Sequence, residues 1–89
     1  MQRLNIRITG SVQGVFFRRS AKEFADELVL SGWAVNEPDG CVRIEVEGES
    51  PSVAQFLLWC ESGPIHARVD RVEHTEIPVQ GDLDFRIIT

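Results

Sequence analysis

The chain has 89 residues, a net charge of −5, 43% hydrophobic residues and 26% charged residues. This balance is typical of a folded domain, which we expect to span residues 1–89, and it argues against a disordered chain. A protein that binds nucleic acid without sequence preference needs a basic surface, so the negative charge counts against that class.

The predicted elements begin with a strand and a helix. Between Met1 and Thr9, apolar Leu4, Ile6 and Ile8 alternate with polar residues, and this period of two predicts a half-buried strand. A glycine-bearing loop follows, from Gly10 to about Phe17. The next apolar residues recur at the spacing of one helix face, and they are Ala21, Phe24, Ala25 and Leu28. A second strand is predicted over residues 33–36.

The rest of the chain predicts three more strands and one helix. A turn at Glu37-Pro38-Asp39-Gly40 leads into a strand that alternates through Val42, Ile44 and Val46. Ser50 as N-cap and Pro51 as first helical residue predict the start of a second helix, which Gly63-Pro64 ends. A fourth strand is predicted over 67–77, with a bulge near Asp70 or Arg71, and a short fifth strand over 83–88.

The element order predicts the fold class. Two helices that each have one apolar face must cover a sheet, and the order strand, helix, strand, strand, helix, strand fits a split β-α-β arrangement. We therefore expect an α+β, ferredoxin-like βαββαβ sandwich. Its sheet would have four antiparallel strands plus a short C-terminal strand, with both helices on one face. Because proteins of such a fold have many different functions, the function depends on the residues of the site and not on the fold.

The loop GSVQGVFFR, residues 10–18, has the composition of an anion site. Backbone N–H groups at the start of a helix have no intrahelical partner, and they can surround a phosphate. Gly14 would let the backbone approach closely, and the guanidinium of Arg18 could bind two phosphate oxygens. Arg19 and Lys22 would add local positive charge. A glycine-bearing loop that precedes a helix with an arginine is, without further evidence, more often a plain capping turn than an anion site. This loop also lacks the Lys-Ser/Thr ending of a P-loop.

Two longer motifs resemble the acylphosphatase family. Residues 8–18, ITGSVQGVFFR, are similar to its first signature, and residues 32–48, GWAVNEPDGCVRIEVEG, are similar to its second. Residues 63–72, GPIHARVDRV, resemble a third, strand-forming stretch. The resemblance implies hydrolysis of acyl phosphates, with Arg18 binding the phosphate and Asn36 orienting the attacking water. It also implies a phosphate cradle formed by the backbone of Gln13, Gly14, Val15, Phe16, Phe17 and Arg18.

Three residues differ from the typical form of these motifs, and they leave an alternative open. Phe16 is bulkier than the small residue most typical at its position, Val35 replaces a polar residue, and Glu37 puts a carboxylate next to Asn36. We expect Glu37 to point away from the phosphate. The alternative is a catalytically weak domain that binds a phosphorylated metabolite or a protein partner. A third possibility, an RNA-recognition domain of similar fold, is disfavoured by charge and by the low aromatic content.

The remaining candidates predict neither a metal nor a cofactor. His66 and His74 are expected at the surface of the fourth strand, too far apart to chelate an ion together. Cys41 and Cys60 lack C-x-x-C spacing, so we expect reduced, partly buried thiols, with a disulfide or a reactive cysteine as the alternatives. The expected partners are an acyl phosphate substrate and inorganic phosphate, without nucleic acid or a membrane. We expect a cytoplasmic protein, since the N-terminus lacks the apolar block of a signal peptide. A monomer is the default expectation for its oligomeric state.

Overall fold

The computed structural model describes all residues from 1 to 89. Five strands and two helices follow in the order β1 (Gln2–Ser11), α1 (Phe17–Glu27), β2 (Ser31–Asn36), β3 (Val42–Gly48), α2 (Ser50–Cys60), β4 (Arg68–Ile77) and β5 (Phe85–Ile88). The predicted βαββαβ order is therefore confirmed, and so is the additional short strand at the C-terminus.

The strands form one sheet in the order β4-β1-β3-β2-β5. The β1–β3, β1–β4 and β2–β3 pairs are antiparallel, as expected, whereas β5 adds to the edge of β2 in a parallel direction. Parallel neighbours end at the same edge of a sheet. The last residues of β5 consequently lie beside the end of β2, where Val35 pairs with Ile88.

The core lies between the helices and one face of the sheet. Alternation along β1 and β3 buries one set of side chains against the two helices, and these include Leu4, Ile6, Ile8, Ile44 and Val46. Helix α1 contributes Phe17, Ala21 and Ala25 to this core, and α2 contributes Val53, Phe56 and Cys60. Trp59 packs on the ring of Phe17 with the two ring centroids 5.3 Å apart. These contacts fix the start of α1 against the sheet.

The β1–β4 pairing contains the predicted bulge. Thr9 pairs with Arg71 and Gly10 pairs with Val69, so Asp70 has no partner across the ladder. Gly10 has a φ of +141°, and a Cβ at this position would lie 2.1 Å from the carbonyl oxygen of Arg68. A glycine is therefore required at this close approach of the two strands.

The predicted cap of α2 is wrong by one residue. Glu49 is the N-cap, it makes no side-chain cap hydrogen bond, and Ser50 is already helical. A proline is tolerated throughout the first helical turn, because the N–H groups of that turn have no intrahelical partner. Pro51 therefore marks the start of the helix without specifying which residue caps it.

A buried arginine on the sheet face opposite the helices fixes the segment before β5. The Arg3 side chain is 0% exposed, and its Nη1 lies 3.0 Å from a carboxylate oxygen of Glu47 and 3.0 Å from one of Asp82. Glu47 also accepts hydrogen bonds from the backbone N–H groups of Gln80 and Gly81, at 2.7 and 2.9 Å. Residues 80–82 are thereby tied to β1 and β3, three residues before β5 begins.

Candidate active site

The loop between β1 and α1 has an alternating backbone conformation. Strand β1 extends through Ser11, two residues further than expected, and α1 begins at Phe17. Gly14 and Phe16 have positive φ values of 76° and 62°, whereas Gln13, Val15 and Phe17 do not. Alternation of this kind turns successive N–H groups toward one concave side, the arrangement that binds anions in many proteins. A Cβ at Gly14 would meet nothing within 4 Å, so its φ, not a close approach, requires the glycine.

The N–H groups of this loop are available to a ligand. The first hydrogen bond of α1 runs from the N–H of Ser20 to the carbonyl of Phe16, at 3.0 Å. The turn, loop and cap hydrogen bonds of the chain include none donated by a backbone N–H between Gln13 and Arg19. The N-cap, Phe16, provides no side-chain acceptor either. The helix therefore begins with the unpaired, positively polarised donors that favour a phosphate.

Gln13 connects the loop to the β2–β3 hairpin. Its Nε2 donates hydrogen bonds to the backbone carbonyls of Glu37 and Cys41, at 2.8 and 2.9 Å. Glu37 directly follows Asn36 at the end of β2. Asp39 stabilises the same hairpin through its carboxylate. The N–H of Cys41 and then the guanidinium of Arg7 interact with this carboxylate, and they lower the pKa of Asp39 below its usual value. Gln13 thus sets the distance between the loop and Asn36 through its side chain, a role that the sequence did not reveal.

A cleft of about 260 Å³ opens between the loop, the start of α1 and the end of β2. It is lined by Val12, Gly14, Phe16, Phe17, Arg18, Arg19, Asn36 and Ile87. The structure therefore brings five of the expected site residues together, namely Gly14, Phe16, Phe17, Arg18 and Asn36. Gln13 and Val15 do not line the cleft. Arg19 and Ile87 do, although Ile87 was assigned no role in the site.

The two arginines at the cleft are the Arg and Lys side chains without an acidic partner. The chain has 9 Arg and Lys residues. All except Arg18 and Arg19 have a carboxylate oxygen at 3.7 Å or less. Lys22, expected to add positive charge to the site, is instead paired with Asp26 at 3.1 Å. An acidic protein therefore keeps two uncompensated positive side chains at this cleft, where an anion would be attracted.

The guanidinium of Arg18 is held by the last strand. Its Nη1 donates a hydrogen bond to the backbone carbonyl of Ile88, at 2.8 Å. This bond is possible because β5 runs parallel to β2 and ends at the edge of the sheet where α1 begins. The remaining guanidinium N–H groups stay available for two phosphate oxygens.

Asn36 ends β2 with a free side chain. Its amide makes none of the side-chain hydrogen bonds of the chain, so both its carbonyl and its NH₂ group can serve a ligand in the cleft. Glu37 does not line the cleft, and its Oε1 lies 3.5 Å from Nη1 of Arg43. The expected orientation of Glu37 away from the site is therefore found, and its carboxylate is partly compensated by a cation outside the cleft.

The other chemically competent residues form no second centre near this cleft. No group of three or more His, Cys, Asp or Glu residues is placed to hold a metal ion. Cys41 and Cys60 are both buried and free, and burial raises the pKa of the Cys60 thiol. His66 and His74 are exposed, but β4 begins only at Arg68, so His66 lies in the preceding turn and not on the strand as expected. No helix is both long and apolar enough to span a membrane.

Comparisons with known proteins agree on one family. The family model described as Acylphosphatase matches residues 4–87. An acylphosphatase of Rubrobacter xylanophilus is 48% identical over 80 residues, which cover 90% of this chain and 73% of that protein. The crystal structure of acylphosphatase from Bacillus subtilis superposes with a TM-score of 0.97 at 32% identity and covers 100% of both chains. An acylphosphatase structure from Coxiella burnetii gives a TM-score of 0.95 at 38% identity, covering 98% of this chain and 92% of that one. The chain therefore belongs to the acylphosphatase family, whose members hydrolyse acyl phosphates.

Proposed function

We propose that this cleft hydrolyses acyl phosphates, with Arg18 and the loop backbone binding the phosphoryl group and Asn36 positioning the attacking water. One observation carries the proposal. Arg18, the unpaired N–H groups at the start of α1 and the free amide of Asn36 all face one cleft. Together they provide charged donors for the phosphate and a separate polar group for the water.

The chemistry needs few protein groups. An acyl phosphate is a mixed anhydride whose leaving group is a carboxylate, and a carboxylic acid has a pKa of about 4. The leaving group can therefore depart at neutral pH without a general acid. Phosphoryl transfer passes through a loose transition state in most analyses, so the water is scarcely deprotonated and a strong base is unnecessary. What remains is to position the reactants and to stabilise charge on the equatorial oxygens.

Each proposed group has a distinct part in this reaction. Arg18 and the backbone N–H groups contact the phosphoryl oxygens in the bound substrate and in the transition state. The carbonyl oxygen of Asn36 accepts a hydrogen bond from the water and holds it in line with the bond that breaks. The phosphorus–oxygen bond to the carboxylate breaks, and the water oxygen forms the new bond to phosphorus. One water proton stays on the inorganic phosphate and the other passes to the solvent, so the products are a carboxylate, hydrogen phosphate and a proton.

Substitutions can separate the two roles. Arg18→Ala should raise the dissociation constant of inorganic phosphate by roughly 10- to 100-fold, because a charged hydrogen bond contributes about 1.5–3 kcal/mol, and it should also collapse kcat. Arg18→Lys should restore little of either, because an ammonium cannot span two oxygens. Asn36→Ala should lower kcat by roughly 100-fold through a misplaced water, with phosphate affinity nearly unchanged.

The measurements are kcat for benzoyl phosphate and the phosphate dissociation constant by calorimetry. Arg71→Ala is the matched control, because Arg71 is an exposed arginine on β4 that pairs with Glu73. It should change neither value. The assignment of the water to Asn36 would be wrong if Asn36→Ala lost phosphate binding as severely as Arg18→Ala, or if it kept full turnover.

The same proposal includes a monomer that works in the cytoplasm. Two buried thiols that remain free support a reducing compartment. The cleft is formed by residues of one chain, so catalysis requires no second copy. Sedimentation should give a single species of about 10.0 kDa, and a dimer at micromolar concentration would contradict this part of the proposal.

A further inference from the structure

Phe16 presents an aromatic ring to solvent at the phosphate cleft. The residue is 71% exposed although it is one of the residues that line the cleft. The other two apolar side chains of this loop that line the cleft, Val12 and Phe17, are 1% and 2% exposed and belong to the core. Among the apolar side chains of this loop, Phe16 is therefore the large one that a bound substrate can contact.

Neither the backbone nor the core explains a phenylalanine at this position. Phe16 has a φ of 62°, a conformation that glycine or asparagine adopts more easily. The ring belongs to no aromatic pair of the core, whose pairs are formed by Phe17, Phe24, Phe56, Phe85 and Trp59. An exposed ring at an unfavourable φ leaves apolar surface in contact with water, and a ligand could cover that surface.

From this placement we infer that Phe16 is the acyl-binding residue of the cleft and that it favours substrates with an apolar, preferably aromatic, acyl group. The inference rests on the proposed function. The phosphoryl group occupies the N–H groups and Arg18, so the acyl group must project toward the open side of the cleft. Because attack is in line, the carboxylate leaves on the side of the phosphorus away from the water. Phe16 and Ile87 are the apolar residues of the cleft that are not part of the buried core.

The competing possibility is a charged acyl group bound by Arg19. This side chain also lines the cleft and has no carboxylate partner. A second phosphate on the acyl group would be attracted to it. The two possibilities predict opposite substrate orders, so one set of substrates separates them: acetyl phosphate, benzoyl phosphate and 1,3-bisphosphoglycerate.

The test compares kcat/KM for these substrates in the native chain and in Phe16→Asn. Asparagine tolerates a positive φ, so the loop can keep its conformation while the ring is lost. The native chain should prefer benzoyl phosphate. The ratio of kcat/KM for benzoyl phosphate to that for acetyl phosphate should fall about 3- to 10-fold in Phe16→Asn, the range expected for loss of one aromatic contact. Phe16→Leu should retain an intermediate ratio.

Val29 offers a matched control. It is the other non-glycine residue with a positive φ, at 58°, and it is 87% exposed. It follows the far end of α1, so Val29→Asn makes the same backbone and surface change away from the cleft. The ratio between the two substrates should not change in this variant.

Three results would overturn the inference. An unchanged ratio in Phe16→Asn would show that the ring does not contact the acyl group. A higher kcat/KM for 1,3-bisphosphoglycerate than for benzoyl phosphate, lost in Arg19→Ala, would assign the acyl group to Arg19. A rise in the phosphate dissociation constant of Phe16→Asn without a change in the ratio would assign Phe16 to the cradle alone. Failure of the native chain to hydrolyse any of the three would instead contradict the proposed function.

Discussion

Arg18 and Ile88 are 70 residues apart in the chain, yet Nη1 of Arg18 donates a 2.8 Å hydrogen bond to the carbonyl oxygen of Ile88. The arginine proposed to bind phosphate is therefore oriented by the last strand of the sheet. That strand is in turn held by its parallel pairing with β2 and by the Arg3 cluster at the segment that precedes it. The geometry of the cleft consequently depends on residues that are far in the sequence from the loop, although the loop provides the N–H donors of the cleft.

Removal of Ile88 and Thr89 should weaken phosphate binding. The truncated chain loses the carbonyl that orients Arg18, and it also places the new terminal carboxylate on Ile87, which lines the cleft. A charged hydrogen bond contributes about 1.5–3 kcal/mol, so the phosphate dissociation constant should rise by at least about 10-fold. Ile88→Ala keeps the carbonyl and should change phosphate affinity much less. Calorimetry with inorganic phosphate measures both. Equal affinity in the truncated and native chains would show that Arg18 is oriented by other contacts.

Gln13→Met should loosen the connection between the loop and the hairpin. Methionine has a similar size but cannot donate to the carbonyls of Glu37 and Cys41, so two hydrogen bonds are lost. We expect the free energy of unfolding in urea to fall by about 1–2 kcal/mol and kcat/KM to fall with it, because the loop and Asn36 lose their fixed spacing. A less stable protein with native kcat/KM would show that Gln13 contributes to folding only.

Val29→Gly should stabilise the protein. Val29 and Leu30 follow the C-cap of α1, and their N–H groups donate to the carbonyls of Asp26 and Ala25, at 3.1 and 2.8 Å. This pattern is a Schellman motif, which requires a positive φ that a β-branched residue adopts with strain. The exposed side chain contributes little packing, so glycine should raise the free energy of unfolding by about 1 kcal/mol. Val29→Ala, which keeps the strain, should not stabilise to the same extent.

Glu47 should make stability depend on acid pH. Burial alone would raise the pKa of Glu47, but the N–H groups of Gln80 and Gly81 and the guanidinium of Arg3 together lower it below its usual value of 4.5. A group with a lowered folded-state pKa stabilises the protein above its unfolded-state pKa, and this contribution is lost as the pH falls through the folded-state pKa. The free energy of unfolding should therefore decrease as the pH drops below about 4.5.

Glu47→Gln isolates this contribution. The variant should be less stable than the native chain at pH 7, and the difference between the two should shrink as the pH falls below about 4.5. Glu76→Gln is a suitable control, because Glu76 is an exposed carboxylate on β4. Urea unfolding at several pH values measures these differences. A difference that stays constant down to pH 3 would contradict the role of Glu47.

The rate should be nearly independent of pH between about pH 6 and 8. No His, Cys, Asp or Glu lines the cleft, so no protein group that titrates in this range touches the proposed reacting atoms. The profile of kcat/KM for benzoyl phosphate should be flat there. A steep limb within this range that disappeared in His66→Gln or His74→Gln would contradict the mechanism.

Local patterns in the sequence determined most elements and singled out both residues that we propose carry the chemistry. Period-two alternation and helical spacing depend only on neighbouring residues, so they predicted the five strands, the two helices and the bulge opposite Gly10. The motifs around Arg18 and Asn36 identified the family and the proposed roles of both residues. The cap of α2 was misassigned by one residue, since a proline specifies only the first turn and not its first residue.

Only the tertiary structure decided how the site is assembled. Strand β5 could pair with either edge strand of the sheet, and it pairs with β2 in a parallel direction. This pairing places Ile88 beside Arg18. The hydrogen bonds of Gln13 to the hairpin and the pairing of Lys22 with Asp26 depend on which segments meet in space. The lack of a carboxylate near Arg18 and Arg19 is likewise a property of the folded surface. Long-range contacts of this kind leave no periodic signal in the sequence, because they join residues whose separation along the chain is arbitrary.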